Sequence, residues 1–180
     1  MPIESPNFFS PENNYLDIAT KRIANLPNGS IVYLDIDGTA VISSESKVQI
    51  REDFNALFAY LKKDRPDISI YALTYRSKDS GVPELSDYPF DALIFMEDMQ
   101  QLLSSISRDE LITSVYNFLS EFESFAEDYK LVETLLNDHL YKLQFLICLL
   151  DEFIWSSILI DDGTDGKIAQ ELGIGVHVQL

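Results

Sequence analysis

Short apolar runs alternate with longer amphipathic segments along most of this chain. The runs that have the length of buried strands are residues 31–35, 68–73, 92–96, 157–160 and 174–178. The segments with helical spacing are residues 12–26, 51–63, 142–153 and 167–172. Because apolar strands separated by helices pair side by side, the pattern predicts an α/β fold whose parallel sheet is covered on both faces.

The stretch 97–139 interrupts this alternation. It is acidic and mostly helical in pattern, and Leu111, Val115 and Leu119 fall on one apolar stripe. The segment 40–50 after the first strand is too short for a cap domain, so 97–139 is the candidate for a small cap. We therefore interpret residues 1–180 as a single domain that carries a small helical insert at 97–139.

Polar residues that could carry chemistry stand at the ends of predicted strands or open the helix before the fourth strand: Asp35 and Asp37, Thr74, Lys142, and Asp161 and Asp162. The first pair belongs to the run Asp35-Ile36-Asp37-Gly38-Thr39, in which two carboxylates precede a glycine turn. Open α/β sheets place their ligands at the carboxyl ends of their strands. We expect these residues to form one site at that edge of the sheet.

This set of residues, in this order, resembles the haloacid dehalogenase-like (HAD) phosphohydrolase superfamily, over the chain from about residue 31 to the C-terminus. It is most similar to bacterial members that have Leu-Thr-x-Arg after the second strand, here Leu73-Thr74-Tyr75-Arg76, and Asp-Asp after the fourth. The resemblance implies a HAD-like (Rossmannoid) sheet of order 5-4-1-2-3 with the first strand central. Tyr75 either lines the site or shields the strand end. The order of the motifs does not fit a receiver domain, whose acidic pair follows the first strand.

The resemblance implies a Mg²⁺-dependent phosphatase that forms an aspartyl-phosphate. Asp35 is then the nucleophile, and Asp37 is the general acid and base, whose backbone carbonyl also ligates the metal. Asp162 supplies the remaining carboxylate ligand, and Asp161 is either a second ligand or its support. Asp165 either supports this acidic loop or caps the helix that follows.

The same resemblance assigns the substrate phosphate to Thr74, Lys142, Gly38 and Arg76. Thr74 and Gly38 would donate hydrogen bonds, and Lys142 would neutralise charge in the transition state. Lys130 is a rival for the lysine role, but a single helix separates Lys142 from the fourth strand, as the family pattern requires. Arg76 either contacts the phosphate or pairs with one of the many acids.

The charge balance of the chain excludes some classes of binding partner. The 180 residues include 13 Lys and Arg against 30 Asp and Glu, a net charge of -17. This argues against sequence-independent nucleic-acid binding, which needs cations to meet phosphates. There is no apolar stretch of transmembrane length and no Sec-type signal in the N-terminal region. We expect either a cytoplasmic protein or one that is exported into a host cell without such a signal.

A small helical cap would leave the cleft open to a phosphorylated side chain of a protein. The acidic insert, with Glu121 and Glu133 among its charges, would repel polyanions. The pattern resembles compact HAD-type protein phosphatases, including phosphotyrosine phosphatases that intracellular bacteria deliver into host cells. We expect a phosphoprotein substrate, with phosphotyrosine favoured. The alternatives are a small phosphate ester or a catalytically silent binding module, and the sequence predicts no oligomeric state.

Overall fold

The computed structural model describes residues 15–44, 47–122, 129–137, 140–149 and 156–178. The strands in these ranges are β1 (Ile31–Leu34), β2 (Val41–Ser44), β3 (Lys47–Ile50), β4 (Ser69–Leu73), β5 (Ala92–Ile94), β6 (Ser157–Asp161) and β7 (Gly175–His177). The helices are α1 (Tyr15–Ala24), α2 (Glu52–Asp64), α3 (Met96–Ser104), α4 (Arg108–Ser120), α5 (Tyr129–Leu135), α6 (Tyr141–Leu149) and α7 (Thr164–Glu171), with a 3-10 turn at Pro83–Leu85.

Five strands form one sheet in the order β5-β4-β1-β6-β7, and each neighbouring pair is parallel. The α/β class and the parallel sheet are therefore confirmed. The labels differ from the order 5-4-1-2-3, because the antiparallel hairpin β2-β3 follows β1 and takes two numbers. The hydrophobic pattern did not predict this hairpin. When it is left out of the count, β1 is central and the sheet strands stand in the order expected for the five runs.

Side chains of the central strand alternate between two apolar layers, as the two-residue period of a strand requires. Val32 and Leu34 pack in one cluster with Phe54 of α2 and with side chains of α1. Tyr33 points to the other face and shares a second cluster with Leu146 of α6. Helices thus cover both faces of the sheet.

Helices α3, α4 and α5, which come from the predicted insert, pack on the second face. Met99, Leu119 and Leu135 are buried in the same cluster as Leu146 of α6 and Leu159 of β6. These helices therefore form part of the layer that covers the sheet. A cap role for residues 97–139 stays a prediction, and residues 123–128 and 138–139 lie outside the described part of the chain.

The length and apolar character of the described helices bear on whether any of them could cross a membrane. None of those in the described ranges combines the length and the apolar character that a bilayer crossing requires.

Candidate active site

The carboxyl end of β1 carries the first two acids of the site. The chain leaves β1 at Leu34, and the Asp35 amide still donates to the Ile160 carbonyl of β6 at 2.9 Å. The Asp35 side chain is buried, whereas that of Asp37 is 54% exposed. Gly38 then turns the chain with a φ of 81°, in the left-handed region that favours glycine. One carboxylate is thus held in the protein interior and the other stands at the surface.

Lys142, near the start of α6, is the cation of the site. Its Nζ donates to Asp35 Oδ1 at 2.6 Å and to Asp161 Oδ2 at 2.5 Å. The three side chains are at most 6% exposed, so water screens their charges weakly. Burial lowers the pKa of Lys142, but its attraction to the two carboxylates outweighs burial and raises the pKa above its ordinary value. The rival Lys130 lies exposed on α5.

Three carboxylates converge beside this lysine. Asp35, Asp161 and Asp162 each offer an oxygen, and these oxygens lie within 4.8 Å of one another. Burial raises the pKa of Asp35 well above its ordinary value; Lys142 opposes this rise and the charge of Asp161 adds to it. One lysine offsets only part of the charge of three ionised carboxylates. Because buried charges are normally paired or bound to metal, this set of hard oxygen donors fits a cation such as Mg²⁺.

Asp161 and Asp162 have different surroundings. Asp161 Oδ1 accepts from the Gly163 amide at 2.6 Å and from the Gly166 amide at 3.2 Å, while its Oδ2 accepts from the lysine. Its Oδ1 therefore holds the loop and the start of α7, and its Oδ2 holds the lysine. The Asp162 carboxylate lies against Gly38, where an added Cβ would come within 1.9 Å of Oδ2. This arrangement supports Asp162 over Asp161 as the direct metal ligand.

A cleft of about 210 Å³ opens over these groups. Its lining residues are Asp35, Asp37, Tyr75, Lys142, Asp161, Asp162, Gly163, Thr164 and Asp165. Thr74, Gly38 and Arg76 are not among them. Thr74 is fully buried at the end of β4, and its Oγ1 accepts from the Arg76 amide at 3.1 Å. The cleft is thus lined by the predicted acids and lysine and not by the other predicted phosphate ligands.

Arg76 contacts acids. Its Nε lies 2.9 Å from Asp37 Oδ2, and its Nη2 lies 2.7 Å from Asp37 Oδ1. On its other side Nη1 lies 2.7 Å from Glu84 Oε1. These contacts raise the pKa of Arg76 beyond its ordinary range, with the Asp37 hydrogen bonds as the main cause. The sequence left two roles open for Arg76, a contact with the phosphate or a pairing with acids. In the described structure Arg76 pairs with acids.

Tyr75 and Asp165 support the segment that carries Lys142. The Tyr75 hydroxyl donates to Asp165 Oδ2 at 2.6 Å, and the ring centre lies 4.5 Å from Lys142 Nζ. Asp165 Oδ1 accepts from the Leu143 amide at 2.9 Å, which fixes the first turn of α6. Burial raises the pKa of Asp165, while the hydrogen bond from Tyr75 opposes that rise. Asp165 therefore supports the site through α6.

Three contacts were missed from the sequence. The pairing of Glu84 with Arg76 has no local signal, because the two residues lie on different segments of a long loop. Thr39 Oγ1 is 3.4 Å from Asp35 Oδ2, and only its place in the glycine turn hinted at this contact. The pairing of Tyr75 with Asp165 crosses 90 positions of the chain. Such partners are decided by tertiary folding.

Comparison of the chain with family models, with curated proteins and with solved structures found no match. The resemblance to the HAD superfamily therefore depends on the motif residues alone and stays a prediction. The case for a function comes from the geometry around Asp35 and Lys142.

Proposed function

We propose that this protein is a Mg²⁺-dependent phosphomonoester hydrolase that uses Asp35 as its nucleophile. The observation that carries the proposal is a buried lysine, Lys142, that bridges Asp35 and Asp161 within 2.6 Å, next to a third carboxylate from Asp162. Burying so much charge is unfavourable for folding, and such arrangements are concentrated at functional sites. Asp37, 54% exposed at the edge of the same cleft, supplies an acid that can reach a leaving group.

In the first half-reaction, an Asp35 oxygen attacks phosphorus and the bond from phosphorus to the ester oxygen breaks. The lysine ammonium neutralises charge on the transferred group, which would otherwise repel a carboxylate. Asp37 gives its proton to the departing oxygen when the leaving group is an alcohol or a phenol. The product of this step is a phosphoryl group on Asp35.

In the second half-reaction, water attacks that phosphorus, and the bond to the Asp35 oxygen breaks. Asp37, now ionised, takes the proton from the water. Inorganic phosphate leaves, and both carboxylates return to their starting states.

Asp35 and Asp162 would hold the metal, together with the Asp37 backbone carbonyl that the family resemblance implies. When bound, Mg²⁺ would reduce the repulsion between the carboxylate and a doubly charged phosphate ester. Asp161 would hold Lys142 and the acidic loop, because its oxygens already accept from the lysine and from two backbone amides. This division of roles follows from the different contacts of the two adjacent aspartates.

For the substrate we propose a phosphorylated side chain of a protein, with phosphotyrosine favoured. The cleft of about 210 Å³ is smaller than the sites that enclose whole small molecules, so most of the substrate would lie outside it. Tyr75 lines the cleft and packs edge-on against Tyr141 at 6.4 Å between ring centres, which provides an aromatic wall for a phenyl group. Action in the cytoplasm, or in a host cell after export, remains a prediction from the sequence.

The deciding experiment is hydrolysis of 4-nitrophenyl phosphate by the wild type with Mg²⁺, by the wild type with EDTA, and by Asp35→Asn. We expect turnover with Mg²⁺, and a loss of at least about a thousandfold in the variant and in EDTA. Asp67→Asn is the matched control, because it removes one charge from an acid paired with Arg65 at the far end of the sheet.

An inactive wild type would contradict the proposal and favour a silent binding module, and an Asp35→Asn variant as active as the wild type would contradict the role of Asp35 as nucleophile. If the enzyme is active, phosphopeptides and small esters are compared next. A preference for small esters over every phosphopeptide would leave the phosphatase and reject the protein substrate.

A further inference from the structure

Arg76 lies between two acids that come from different parts of the chain. Three of its contacts, Nε to both Asp37 oxygens and Nη2 to Oδ1, are 2.7 to 3.1 Å long and form a two-pronged fork. Its Nη1 is 2.7 Å from Glu84 and 3.3 Å from the Gly81 carbonyl. Every nitrogen of the guanidinium is therefore engaged by the protein. A residue committed in this way has little capacity left to bind a substrate phosphate.

The position of Glu84 includes an energetically unfavourable feature. It lies in the 3-10 turn Pro83–Leu85, and its side chain is 19% exposed. Its second oxygen, Oε2, is buried without a hydrogen-bond partner among the described residues. An unsatisfied carboxylate oxygen is unfavourable, so the contact with Arg76 is the evident gain from this position. Glu84 thus holds the guanidinium from the side opposite Asp37.

We propose that Glu84 and Arg76 are positioning residues that keep the Asp37 carboxylate aimed for its role as general base. This inference depends on the proposed function and deepens it. An ionised carboxylate held by a guanidinium fork has a fixed direction, and a general base needs to be oriented by a third group. The step served is the second half-reaction: water oxygen bonds to phosphorus, the bond to Asp35 breaks, and the water proton moves to Asp37.

The test uses 4-nitrophenyl phosphate, because 4-nitrophenolate leaves without a proton and its release reports the first half-reaction. The variants are Glu84→Gln, which keeps the shape, and Arg76→Lys, which keeps the charge but loses the fork. Slower hydrolysis of the aspartyl-phosphate lowers kcat and KM together and leaves kcat/KM unchanged. For each variant we expect kcat and KM to fall by about tenfold, with kcat/KM within about twofold of the wild type.

Two further readouts separate positioning from a general structural effect. Rapid mixing should reveal a burst of nitrophenolate that approaches one equivalent per enzyme in the variants. Because Glu84 acts through Arg76, the double variant should be no slower than Arg76→Lys alone. Asp79→Asn is the control: it removes an exposed charge from the same loop and should leave all parameters unchanged.

A higher KM with a lower kcat/KM would overturn the inference, since Arg76 would then bind the substrate phosphate. Losses that add in the double variant would also overturn it. If the wild type is active and the variants give either of these two results, the inference fails but the proposed phosphatase function is still supported. A wild type that cleaves no ester at all rejects the function, and the inference fails with it.

Discussion

The two ends of the sheet both carry short ion pairs, yet the pairs differ in burial. At the amino end, Arg65 pairs with Asp67 at 2.8 Å, with side chains 13% and 32% exposed. Arg65 also donates to the carbonyls of Ile23 and Leu26, which joins it to the end of α1. At the carboxyl end, Lys142 pairs with two carboxylates at similar distances but is 3% exposed.

Distance alone therefore does not distinguish the ion pairs at the two ends of the sheet. The amino-end pair is near water, involves equal numbers of charges and holds α1 in place, and pairs of this kind contribute little to stability. The carboxyl-end cluster has more acids than bases and little solvent to screen them. Its excess negative charge opposes folding and makes it suited to bind a cation.

Removing the buried lysine should have the largest effect. Lys142→Met leaves Asp35 and Asp161 buried without their counter-charge, so we expect a loss of about 3 kcal/mol in unfolding free energy at neutral pH. Activity should fall by at least about a thousandfold, because the transferred phosphoryl group loses its cation. Urea unfolding and ester hydrolysis measure the two effects.

The matched change at the amino end is Arg65→Met. It should destabilise the protein clearly less than Lys142→Met and leave kcat/KM unchanged, because the pair lies partly in water. Equal destabilisation by the two variants would mean that burial does not separate the two ends, and the comparison would fail.

Two glycines allow a second comparison across the sheet. Gly29 and Gly38 precede and follow β1, and both have φ values near 80°. Alanine at either position adds backbone strain of about 1 kcal/mol. At Gly29 the new Cβ has no neighbour within 4 Å, but at Gly38 it would overlap the Asp162 carboxylate. We therefore expect Gly38→Ala to lose Mg²⁺ affinity and activity, and Gly29→Ala to lose only stability.

Titration calorimetry with Mg²⁺ and thermal unfolding measure the two glycine variants. The expected loss of Mg²⁺ affinity would be contradicted if Gly38→Ala bound the metal as tightly as the wild type, because Asp162 would then not be a ligand.

The pH dependence of stability should reveal the excess of acids at the carboxyl end. Burial raises the pKa of Asp35 and of Asp165 in the folded state. The folded protein therefore retains protons that the unfolded chain releases above its ordinary carboxyl pKa of about 4. In EDTA, these groups make stability fall as pH rises from about 4 through their folded pKa values.

Mg²⁺ should reverse this fall at neutral pH, because a cation that binds only the folded state stabilises it. In EDTA, Asp35→Asn should be more stable than the wild type at pH 7, because it removes a charge that opposes folding. Thermal unfolding between pH 4 and pH 8, with and without Mg²⁺, measures both effects. A flat profile in EDTA would indicate that Lys142 already compensates the cluster fully.

The smallest effect is expected at the edge of the cluster. Tyr75→Phe removes the hydroxyl that donates to Asp165 but keeps the ring beside Lys142. We expect a loss of about 1 kcal/mol in unfolding free energy. The first turn of α6 would be held less firmly, so kcat should fall by only a few-fold, on the order of 1 kcal/mol or less. Tyr75→Leu, which also removes the ring, should lower kcat further; equal kcat values would exclude a role for the ring.

The gathering of Asp35 and Asp161 could be predicted because it follows from the alternation of apolar strands and helices, whereas the choice of Lys142 depended on the resemblance to the HAD family pattern. Parallel strands connected by helices end at the same edge of a sheet, so residues that immediately follow them lie close together. The α/β class followed from the same pattern. The hairpin β2-β3 was missed because each of its strands has only four residues, which is too short for an apolar period to be recognised.

The sequence by itself therefore determined the fold class and the edge of the sheet at which the acids and the lysine meet, because hydrophobic periodicity is a local property of the chain. Only the tertiary structure decided which partner each charged group takes: Arg76 with Asp37 and Glu84, and Asp165 with Tyr75. It also decided that Asp161 is enclosed by donors while Asp162 faces Gly38. These choices depend on burial and on contacts between distant segments, and neither leaves a periodic signal in the sequence.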